Sequence, residues 1–452
     1  MDKQYLEILP EPEKIQVVVL MGGLGSRLGE QTKGCPKPLV DVGGRPFFDY
    51  QLDLLKGYGF RDFLFLVGHR AEMIEAHYGD GSHYGVRISY SYDGERLLGT
   101  GGAVCKAYGM LWEDFLLLYG DSFMDIDYKE TIYRYFKGKL SGCPALMTVL
   151  ENRNRLDKSN VVMKEGKIIL YDKRNRNGEM QYIDYGVGMF EKTLFQSVDA
   201  DLPFDIGDIQ KQLSIEGKLV AHEVVNRFYE IGSPKSLEGF RRYTKKRFGQ
   251  RNKAVFFDRD GVVNKIVFRD NTEQLDSPLQ KEELMLMGGA AEAMKELQEK
   301  GYYLFLVTNQ PAAAKGKATL EDLYDINTCL CKMLAEKGIY VDGVEICPHY
   351  PKASEYTKEK FLIKDCRCRK PKIGMIESIM NRFSIDIEHS WMVGDSYTDV
   401  LAGRRAGLKT AFLGNFKCDV CKCLEYNWPD LVCNSLADLI YYEAGVGSPE
   451  ET

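Results

Sequence analysis

Short apolar strands alternate with helical segments in two series along the chain, and this alternation restricts the fold more than any other feature. The first series of strands comprises Ile15–Met21, Phe63–Val67 and Phe115–Leu118. Helical segments at Phe47–Tyr58 and Ala71–Tyr78 separate them. The second series comprises Ala254–Phe257, Tyr303–Val307, Val344–Cys347, Ser390–Val393 and Thr410–Leu413. Strands spaced by amphipathic helices are typical of mainly parallel α/β sheets, so we expect two α/β domains.

A polar, basic stretch separates the two series. It runs from Arg241 to Lys253 and contains several Lys and Arg residues with few apolar ones. The length of 452 residues is compatible with two or three domains at about 150 residues each. We therefore predict a first domain at residues 1–245, a solvated linker at 246–252 and a second domain at 253–445.

The composition excludes several classes of protein. With 60 Lys and Arg against 66 Asp and Glu, the net charge of −6 argues against a general nucleic-acid binder. No apolar run approaches the roughly 18 residues of a membrane helix, and the N-terminus lacks the pattern of a signal peptide. We expect a soluble, cytoplasmic protein with no membrane partner. In a reducing compartment, clustered cysteines are metal ligands or free thiols rather than disulfides.

A glycine-rich turn and two cations follow the first strand. They are Gly22, Gly23, Gly25, Ser26, Arg27 and, ten residues further, Lys37 within Pro36-Lys37-Pro38. Glycines let the backbone approach an anion, and successive N–H groups can surround phosphate oxygens. This is not a Walker loop, because no Gly-Lys-Ser/Thr follows. A plain structural turn is the alternative for the glycines alone, but the cations favour a phosphate site.

This ensemble resembles the signature of the sugar-1-phosphate nucleotidyltransferases, which are Rossmann-like, over about 230 residues. Further matching segments are Leu98–Ala103 with Gly99, Thr100 and Gly101, then Gly120-Asp121, Asp172-Lys173, Tyr182–Gly186 with Asp184, and Tyr229–Pro234 with Glu230. The resemblance implies that the phosphate of a sugar 1-phosphate attacks the α-phosphorus of a nucleoside triphosphate and releases pyrophosphate.

The resemblance also implies roles for these residues. Asp121 and Glu230 would hold Mg²⁺, although the family usually has Asp where this chain has Glu230. Arg27 and Lys37 would bind the triphosphate and offset its charge. Lys173 would neutralise the attacking phosphate, Asp184 would contact the sugar, and the glycines with Ser26 and Thr100 would contact the nucleotide.

Polar motifs end the strands of the second series. Asp258 and Asp260 follow Phe257, Thr308 and Asn309 follow Val307, Lys370 lies in Arg369-Lys370-Pro371, and Asp395 follows Gly394. Because parallel strands end at one edge of a sheet, these side chains should converge there. The ordered set resembles the haloacid-dehalogenase-like phosphatases.

That resemblance implies a two-step phosphatase. Asp258 would be the nucleophile that forms an aspartyl phosphate, and Asp260 the general acid and then base. Thr308 and Lys370 would stabilise the phosphoryl oxygens. Asp258, Asp395 and the carbonyl of Asp260 would hold Mg²⁺. Asp399 has two readings, a helix cap or a direct role.

A cysteine–histidine set lies between these motifs: Cys347, His349, Cys366 and Cys368. Three thiols and one imidazole suit a closed tetrahedral Zn²⁺ site that fixes the loop 347–368. Ordinary buried thiols are the alternative. With Arg369-Lys370-Pro371, this set resembles the nearly capless D-glycero-D-manno-heptose-1,7-bisphosphate 7-phosphatases, in which Asn309 and Arg369 would meet substrate.

One segment departs from that family. The family usually reads Thr-Asn-Gln-Ser-Gly-Ile-x-Arg-Gly, whereas this chain has Pro311 and, in place of Arg, Lys315. Lysine does not replace the bidentate guanidinium, so the substrate preference of this loop is open. A last cluster, Cys418, Cys421, Cys423 and Cys433, has no clear ligand spacing and is read as structural or free thiols rather than a metal site.

Together the two resemblances suggest a bifunctional enzyme of heptose activation, with phosphosugar and nucleoside triphosphate substrates and GTP as the first choice of nucleotide. Two alternatives stay open: the same activities on another phosphosugar or nucleotide, and a nucleotidyltransferase with a non-catalytic C-terminal scaffold. The sequence does not decide the anomer, the base, channelling between the sites, or whether the chain forms a homo-oligomer.

Overall fold

The computed structural model describes residues 6–23, 34–94, 98–196, 203–270, 272–352, 354–414 and 428–444. The chain forms two compact units, Met1–Lys245 and Lys246–Thr452. Each unit has its own central sheet and its own hydrophobic clusters. Within the described ranges, no helix combines the length and the apolar character needed to cross a membrane.

The first unit contains thirteen described strands and six described helices, the last of which extends three residues beyond the unit's end at Lys245. The strands are β1 (Gln16–Leu20), β2 (Asp41–Val42), β3 (Arg45–Pro46), β4 (Asp62–Val67), β5 (Arg87–Tyr92), β6 (Asp114–Tyr119), β7 (Ser122–Phe123), β8 (Ala145–Glu151), β9 (Val161–Lys164), β10 (Lys167–Tyr171), β11 (Tyr182–Glu191), β12 (Leu219–Val224) and β13 (Tyr229–Glu230). The helices are α1 (Phe47–Tyr58), α2 (Ala71–Tyr78), α3 (Gly99–Lys106), α4 (Tyr128–Leu140), α5 (Ile206–Ile215) and α6 (Pro234–Phe248).

The large sheet of this unit is mixed. Its strand order is β5-β4-β1-β6-β11-β8-β12-β10-β9. The first four strands are parallel to one another, while β11 runs antiparallel to both β6 and β8. The parallel half therefore brings the carboxyl ends of β1, β4, β5 and β6 to one edge, where ligands bind in open α/β sheets.

Helices cover both faces of this sheet, which explains the continuous apolar run in β1. Val17 and Val19 pack into a cluster with residues of α1, α4 and α6, whereas Val18 packs into a second cluster with residues of α3 and α5. Successive strand residues point to opposite faces. A strand buried on both faces needs apolar residues at every position rather than at alternate ones.

The second unit contains eight described strands and five described helices. The strands are β14 (Ala254–Phe257), β15 (Val267–Arg269), β16 (Gln274–Asp276), β17 (Tyr303–Asn309), β18 (Gly343–Cys347), β19 (Trp391–Gly394), β20 (Lys409–Leu413) and β21 (Leu431–Cys433). The helices are α7 (Ala290–Glu299), α8 (Leu320–Glu336), α9 (Gly374–Met380), α10 (Tyr397–Arg405) and α11 (Leu436–Glu443).

The main sheet of the second unit is parallel throughout, in the order β18-β17-β14-β19-β20-β21. The central strand β14 alternates between two clusters, with Val255 and Phe257 in one and Ala254 and Phe256 in the other. Strand β14 ends just before Asp258, and its neighbours β17 and β19 end at Asn309 and just before Asp395. The sheet thus places three polar strand ends side by side.

In the segment predicted as a solvated linker, 246–252, most residues are exposed, but Arg247 and Asn252 are buried. Helix α6 continues to Phe248, and the side chain of Arg247 is buried. Its guanidinium lies 3.9 Å from the centroid of the Phe383 ring, and its Nε donates to the carbonyl of Arg382. A guanidinium buries well when a ring face and a carbonyl replace water. The basic composition predicted a surface, whereas Arg247 packs inside the second unit.

Candidate active sites

A cavity of about 210 Å³ opens at the carboxyl edge of the parallel strands in the first unit. Gly22 and Gly23 line it after β1, and Lys37 and Asp121 line it from two other segments. The Nζ atom of Lys37 lies 2.5 Å from Asp121 Oδ2. The structure thus places a predicted phosphate-binding cation directly against a predicted metal ligand.

Glu230 reaches the same region through strand pairing. It is paired with Ser122 in the short β13–β7 sheet, and the neighbouring Ile231 N–H donates to the carbonyl of Asp121 at 3.0 Å. This pairing places Glu230 opposite Ser122, the residue that directly follows the other predicted metal ligand, Asp121. The predictions for Gly25, Ser26 and Arg27 lie outside the described residues.

Of the three residues in the Leu98–Ala103 segment that are predicted to contact the nucleotide, two line the cavity and one does not. Gly99 and Thr100 line the cavity. Thr100 Oγ1 already accepts the N–H of Ile206 at 2.9 Å, and the N–H of Gly101 donates to the carbonyl of Phe204 at 3.0 Å. Gly101 is not among the residues that line the cavity, and its nucleotide-binding role stays a prediction. A Cβ there would lie 2.2 Å from the Phe204 ring, so this glycine makes room for packing.

The predicted sugar-site residues border a second, smaller cavity. Asp172, Lys173 and Asp205 line it, and Lys173 Nζ lies 3.7 Å from Asp205 Oδ1. Tyr171 also lines it and donates its hydroxyl to Asp184 at 3.0 Å.

Tyr119 connects these groups electrostatically. It lines the larger cavity, and burial raises its pKa far above the ordinary range, assisted by the charges of Asp184, Asp205 and Asp121. The phenol therefore stays protonated beside the carboxylates of both cavities. Asp121 and Asp184 both act on the ionisation of Tyr119.

In the second unit, a buried lysine holds two aspartates. The Nζ atom of Lys370 lies 2.9 Å from Asp258 Oδ1 and 2.6 Å from Asp399 Oδ1, and it donates to the carbonyl of Val307 at 2.7 Å. The side chains of Lys370 and Asp399 are each 1 % exposed. A buried charge is tolerated only when it is paired in this manner. Lys370 thus fixes the orientation of the predicted nucleophile.

Three carboxylates converge at this point: Asp258, Asp395 and Asp399. Burial raises the pKa of Asp258 to about 6, with Lys370 opposing the shift and the neighbouring aspartates adding to it. Burial and the charges of Asp258 and Asp399 raise the pKa of Asp395 to about 7. Closely spaced carboxylate oxygens of this kind are suitable ligands for a hard divalent cation.

The side chain of Asp260 points to different partners. It accepts hydrogen bonds from Asn264 at 2.9 Å, Gln310 at 2.6 Å and Arg259 at 3.1 Å. Burial opposes its ionisation, but Arg259 and these hydrogen bonds together lower its pKa. Its side chain is outside the convergent carboxylate group, and the predicted role of its carbonyl stays a prediction.

The remaining predicted residues line one cavity of about 340 Å³ with Asp258 and Asp260: Thr308, Asn309, Arg369, Lys370 and Asp395. Asn309 is held to the backbone of Lys370 by two hydrogen bonds, at 3.0 and 3.1 Å. Lys315 also lines the cavity and lies over the ring of Tyr350, as does Arg369. The loop that differs from the family sequence, Pro311–Lys315, therefore lines the site.

The two interpretations of Asp399 are compatible, because Asp399 completes the capping box of α10 by accepting the Ser396 N–H and also pairs with Lys370. Sequence reasoning missed Gln310 and Asn264, which orient Asp260. Both residues lie next to predicted motifs, and this position could have indicated their role. Asn and Gln side chains near turns are so common, however, that position alone does not predict a function.

The cysteine–histidine set forms a compact cluster that is a possible metal site. Sulfur–sulfur distances among Cys347, Cys366 and Cys368 are 3.3 to 3.5 Å, and His349 Nδ1 lies 3.2 Å from the sulfur of Cys368. These distances exceed the roughly 2.05 Å of a disulfide. They approach the edge of about 3.8 Å that a tetrahedron with metal–sulfur bonds of about 2.3 Å has. The donor set therefore fits one tetrahedral ion.

Two family models match this chain. The model described as nucleotidyl transferase matches residues 16–237, and the model described as HAD-hydrolase-like matches residues 367–439. Among curated proteins, the D-glycero-beta-D-manno-heptose-1,7-bisphosphate 7-phosphatase of Haemophilus ducreyi is 37 % identical over 191 residues. That match covers 42 % of this chain and 97 % of the relative.

Solved structures also resemble each half. The Yersinia pseudotuberculosis protein HddC, complexed with GMP-PN, matches with a TM-score of 0.43 and 22 % identity over 51 % of this chain and all of that protein. The D,D-heptose 1,7-bisphosphate phosphatase of B. bronchiseptica, complexed with magnesium and phosphate, matches with a TM-score of 0.35 and 28 % identity, over 43 % of this chain and 98 % of that one.

Proposed function

Through its C-terminal half this chain belongs to the family of D-glycero-beta-D-manno-heptose-1,7-bisphosphate 7-phosphatases, and on this premise we propose that it is a bifunctional enzyme. The second unit removes the 7-phosphate of the heptose bisphosphate. The first unit, which matches the nucleotidyl transferase model, transfers GMP from GTP to the heptose 1-phosphate and releases pyrophosphate. We assign the activities to residues 1–245 and 253–445.

In the phosphatase reaction, Asp258 attacks phosphorus and forms an aspartyl phosphate while the sugar alkoxide leaves. Lys370 aligns Asp258 and, with Thr308, stabilises the phosphoryl oxygens. Asp260 lies in the same cavity and gives its proton to the alkoxide. Arg259 and the hydrogen bonds from Asn264 and Gln310 lower its pKa, so Asp260 must take up a proton before it can act as the acid. The same carboxylate then serves as the base that activates water for hydrolysis.

Two kinds of ion fit this unit. Asp258 and Asp395, with the carbonyl of Asp260, would hold Mg²⁺, which offsets the charge of the transferred phosphoryl group. Cys347, His349, Cys366 and Cys368 would hold Zn²⁺, which fixes the loop that precedes Arg369 and Lys370. The convergence of the carboxylates and of the sulfurs supports both assignments.

In the transferase reaction, the oxygen of the sugar phosphate attacks the α-phosphorus of GTP and pyrophosphate leaves. Lys37, with Arg27, orients the triphosphate, and Lys173 faces the attacking phosphate with Asp184 at the sugar. Asp121 and Glu230 would hold Mg²⁺, which screens the repulsion between the two substrates. No covalent intermediate with the protein is needed, because positioning and charge supply the catalysis.

The observation that carries this proposal is the presence, on one chain, of two separate sets of charged groups at the carboxyl edges of two sheets. The product of the second unit is the acceptor that the first unit requires. Because nucleoside triphosphates and phosphosugars are cytoplasmic metabolites, we propose a cytoplasmic location without nucleic-acid or membrane partners.

A panel of phosphosugars and nucleoside triphosphates, with separate detection of phosphate and pyrophosphate, tests the proposal. We expect phosphate from heptose 1,7-bisphosphate without any nucleotide, and pyrophosphate from heptose 1-phosphate with GTP. Absence of phosphate release would support the reading of the second unit as a scaffold. The intact Asp258–Lys370–Asp399 arrangement argues against that reading.

A second candidate keeps both activities but changes the sugar. The observation that favours it is the departing loop, in which Lys315 replaces the family's Arg and lies over Tyr350 at the cavity. A lysine makes point contacts rather than the planar, bidentate contacts of arginine. Faster phosphate release from a hexose bisphosphate than from the heptose bisphosphate would support this candidate.

A further inference from the structure

Two segments of the first unit, 98–101 and 204–206, are hydrogen-bonded to each other although they lie far apart in the sequence. Gly99 and Thr100 in the first segment line the larger cavity. Asp205 in the second segment lines the smaller cavity, which is bordered by the predicted sugar-site residues. We call the two paired segments the clasp. The clasp connects a wall of one proposed substrate cavity directly to a wall of the other.

Three hydrogen bonds form the clasp. Two of them join backbone groups: the N–H of Phe204 donates to the carbonyl of Leu98 at 3.1 Å, and the N–H of Gly101 donates to the carbonyl of Phe204 at 3.0 Å. In the third, the hydroxyl oxygen of Thr100 accepts the N–H of Ile206 at 2.9 Å. These bonds involve the residues on both sides of Asp205, so they fix the backbone of Asp205 from both directions.

Glycines allow the two segments of the clasp to approach each other closely. A Cβ at Gly99 would lie 2.6 Å from the carbonyl oxygen of Phe204, and a Cβ at Gly101 would lie 2.2 Å from the Phe204 ring. Both distances are well below the roughly 3.5–4.0 Å at which non-bonded atoms pack. The absence of a side chain at these two positions is therefore explained by the second segment, without reference to a nucleotide.

The clasp holds a charged pair at the smaller cavity. Oδ1 of Asp205 accepts the N–H of Gly207 at 2.7 Å and so caps α5, and the same oxygen lies 3.7 Å from Nζ of Lys173. A helix leaves its first four N–H groups without partners inside the helix. Asp205 satisfies one of them, and Thr100 satisfies another, that of Ile206. The clasp thus fixes the carboxylate that pairs with the proposed phosphate-binding lysine.

Loss of the Thr100 hydroxyl would leave the N–H of Ile206 without its acceptor. Ile206 is 1 % exposed, and a buried donor without a partner is costly enough to favour a shift of the segment. A shift of about 1 Å in a group that positions a substrate is sufficient to impair a site. The effect should be felt at Lys173, because Asp205 lies directly before Ile206.

We propose, on the basis of the proposed nucleotidyl transfer, that Thr100 is a positioning residue for the sugar phosphate rather than a contact of the nucleotide. Its hydroxyl holds the segment that carries Asp205, and through Asp205 it sets the position of the Lys173 ammonium. Gly101 supports the same segment by leaving room for it. A sequence motif at the nucleotide cavity thus serves the second substrate.

Titration calorimetry with the full chain and Mg²⁺ tests this assignment. The first ligand is α,β-methylene-GTP, which cannot release pyrophosphate, and heptose 1-phosphate is then added to the protein saturated with this analogue. Thr100→Val keeps the shape of the side chain but lacks the hydroxyl. We expect it to raise the Kd of heptose 1-phosphate about tenfold and to leave the Kd of the analogue within about twofold of the wild type. Thr100→Ser, which retains the hydroxyl, should bind both ligands as the wild type does.

Gly101→Ala tests the same assignment without removing a hydrogen-bonding group, because its Cβ would displace the Phe204 ring. It should also weaken heptose 1-phosphate and spare the analogue. The matched control is Thr193→Val, which changes an exposed threonine of the same unit and should leave both Kd values unchanged.

An unchanged Kd of heptose 1-phosphate in Thr100→Val, or a rise in the Kd of the analogue alone, would overturn the assignment. Gly101→Ala decides in the same way if Thr100→Val fails to fold. Parallel measurement of pyrophosphate with GTP separates the two proposals, since wild-type protein that binds both ligands without turnover would count against the transferase alone. If the wild type bound neither ligand, both proposals would be wrong.

Discussion

The two sites handle crowded negative charge in opposite ways. In the second unit, Lys370 is 1 % exposed and already paired with Asp258 and Asp399 before any substrate enters. In the first unit, Lys37 and Asp121 form a single pair, 11 % and 24 % exposed, beside an apolar cavity. A site in which the protein itself attacks needs a rigid nucleophile, whereas a site in which two substrates react needs room and placed charge.

The largest test of this contrast is Asp258→Asn. Loss of the nucleophile should lower phosphate release from heptose 1,7-bisphosphate by at least about 10⁴-fold, because no other group of the cavity can take its place in the covalent step. Pyrophosphate release from heptose 1-phosphate and GTP should stay within twofold of the wild type. Retention of phosphatase activity would mean that Asp258 is not the nucleophile.

Removal of the zinc ion that we propose for the cysteine cluster should act next most strongly, and only on the second unit. Cys366→Ser should release zinc and lower the stability of this unit by about 4 kcal/mol at metal concentrations near 1,000 Kd. Calorimetric melting with metal analysis checks this. Cys329→Ser, which changes a thiol on α8 outside the cluster, is the control, and an equal effect of both variants would refute a metal role.

Lys37→Ala should have the opposite effect to Asp258→Asn, because it should lower pyrophosphate release and spare phosphate release. Pyrophosphate release should fall about 10²- to 10³-fold, which is typical for loss of one charge-stabilising donor, while phosphate release stays unchanged. Lys129→Ala, an exposed lysine on α4, should leave both rates intact. A fall in phosphatase activity for Lys37→Ala would contradict the independence of the two sites.

A last effect is a pH dependence of stability in the second unit. The folded-state pKa values of Asp258, about 6, and Asp395, about 7, exceed the ordinary value near 3.9. Between about pH 4 and 7 the folded state binds more protons than the unfolded state, so stability should fall as pH rises, by about 1.4 kcal/mol per pH unit for each proton.

Thermal melting in magnesium-free buffer measures this slope. Excess Mg²⁺ should reduce or reverse it, since the cation favours the ionised carboxylates. Asp395→Asn should flatten it, because one of the two titrating groups is gone. A slope that is the same with and without Mg²⁺ would show that these carboxylates do not bind the ion.

The same contrast explains what the sequence could predict. The limits of α1, α2 and β14 agree with the predicted ranges, because helix and buried-strand periodicities are local. The antiparallel strand β11 within the first sheet was not predicted, since strand direction depends on long-range pairing. The strand-end aspartates of the second unit were identifiable because a parallel sheet forces them together.

Roles that depend on packing could not be read from the chain. Gly101 resembles a nucleotide-binding glycine but makes room for Phe204, and Arg247 resembles a surface cation but is buried against Phe383. Asp399 reads equally as a cap or as a site residue, and it is both. In each case the deciding partner lies far away in the sequence or on another element.

One progress curve tests the central claim that two independent sites act in succession. Wild-type protein receives heptose 1,7-bisphosphate and GTP, and phosphate and pyrophosphate are followed together. We predict that phosphate appears first and that pyrophosphate follows after a lag to equal amounts. Asp258→Asn should yield neither product unless heptose 1-phosphate is added. Pyrophosphate formed from the bisphosphate by this variant, or formed before phosphate by the wild type, would contradict the account.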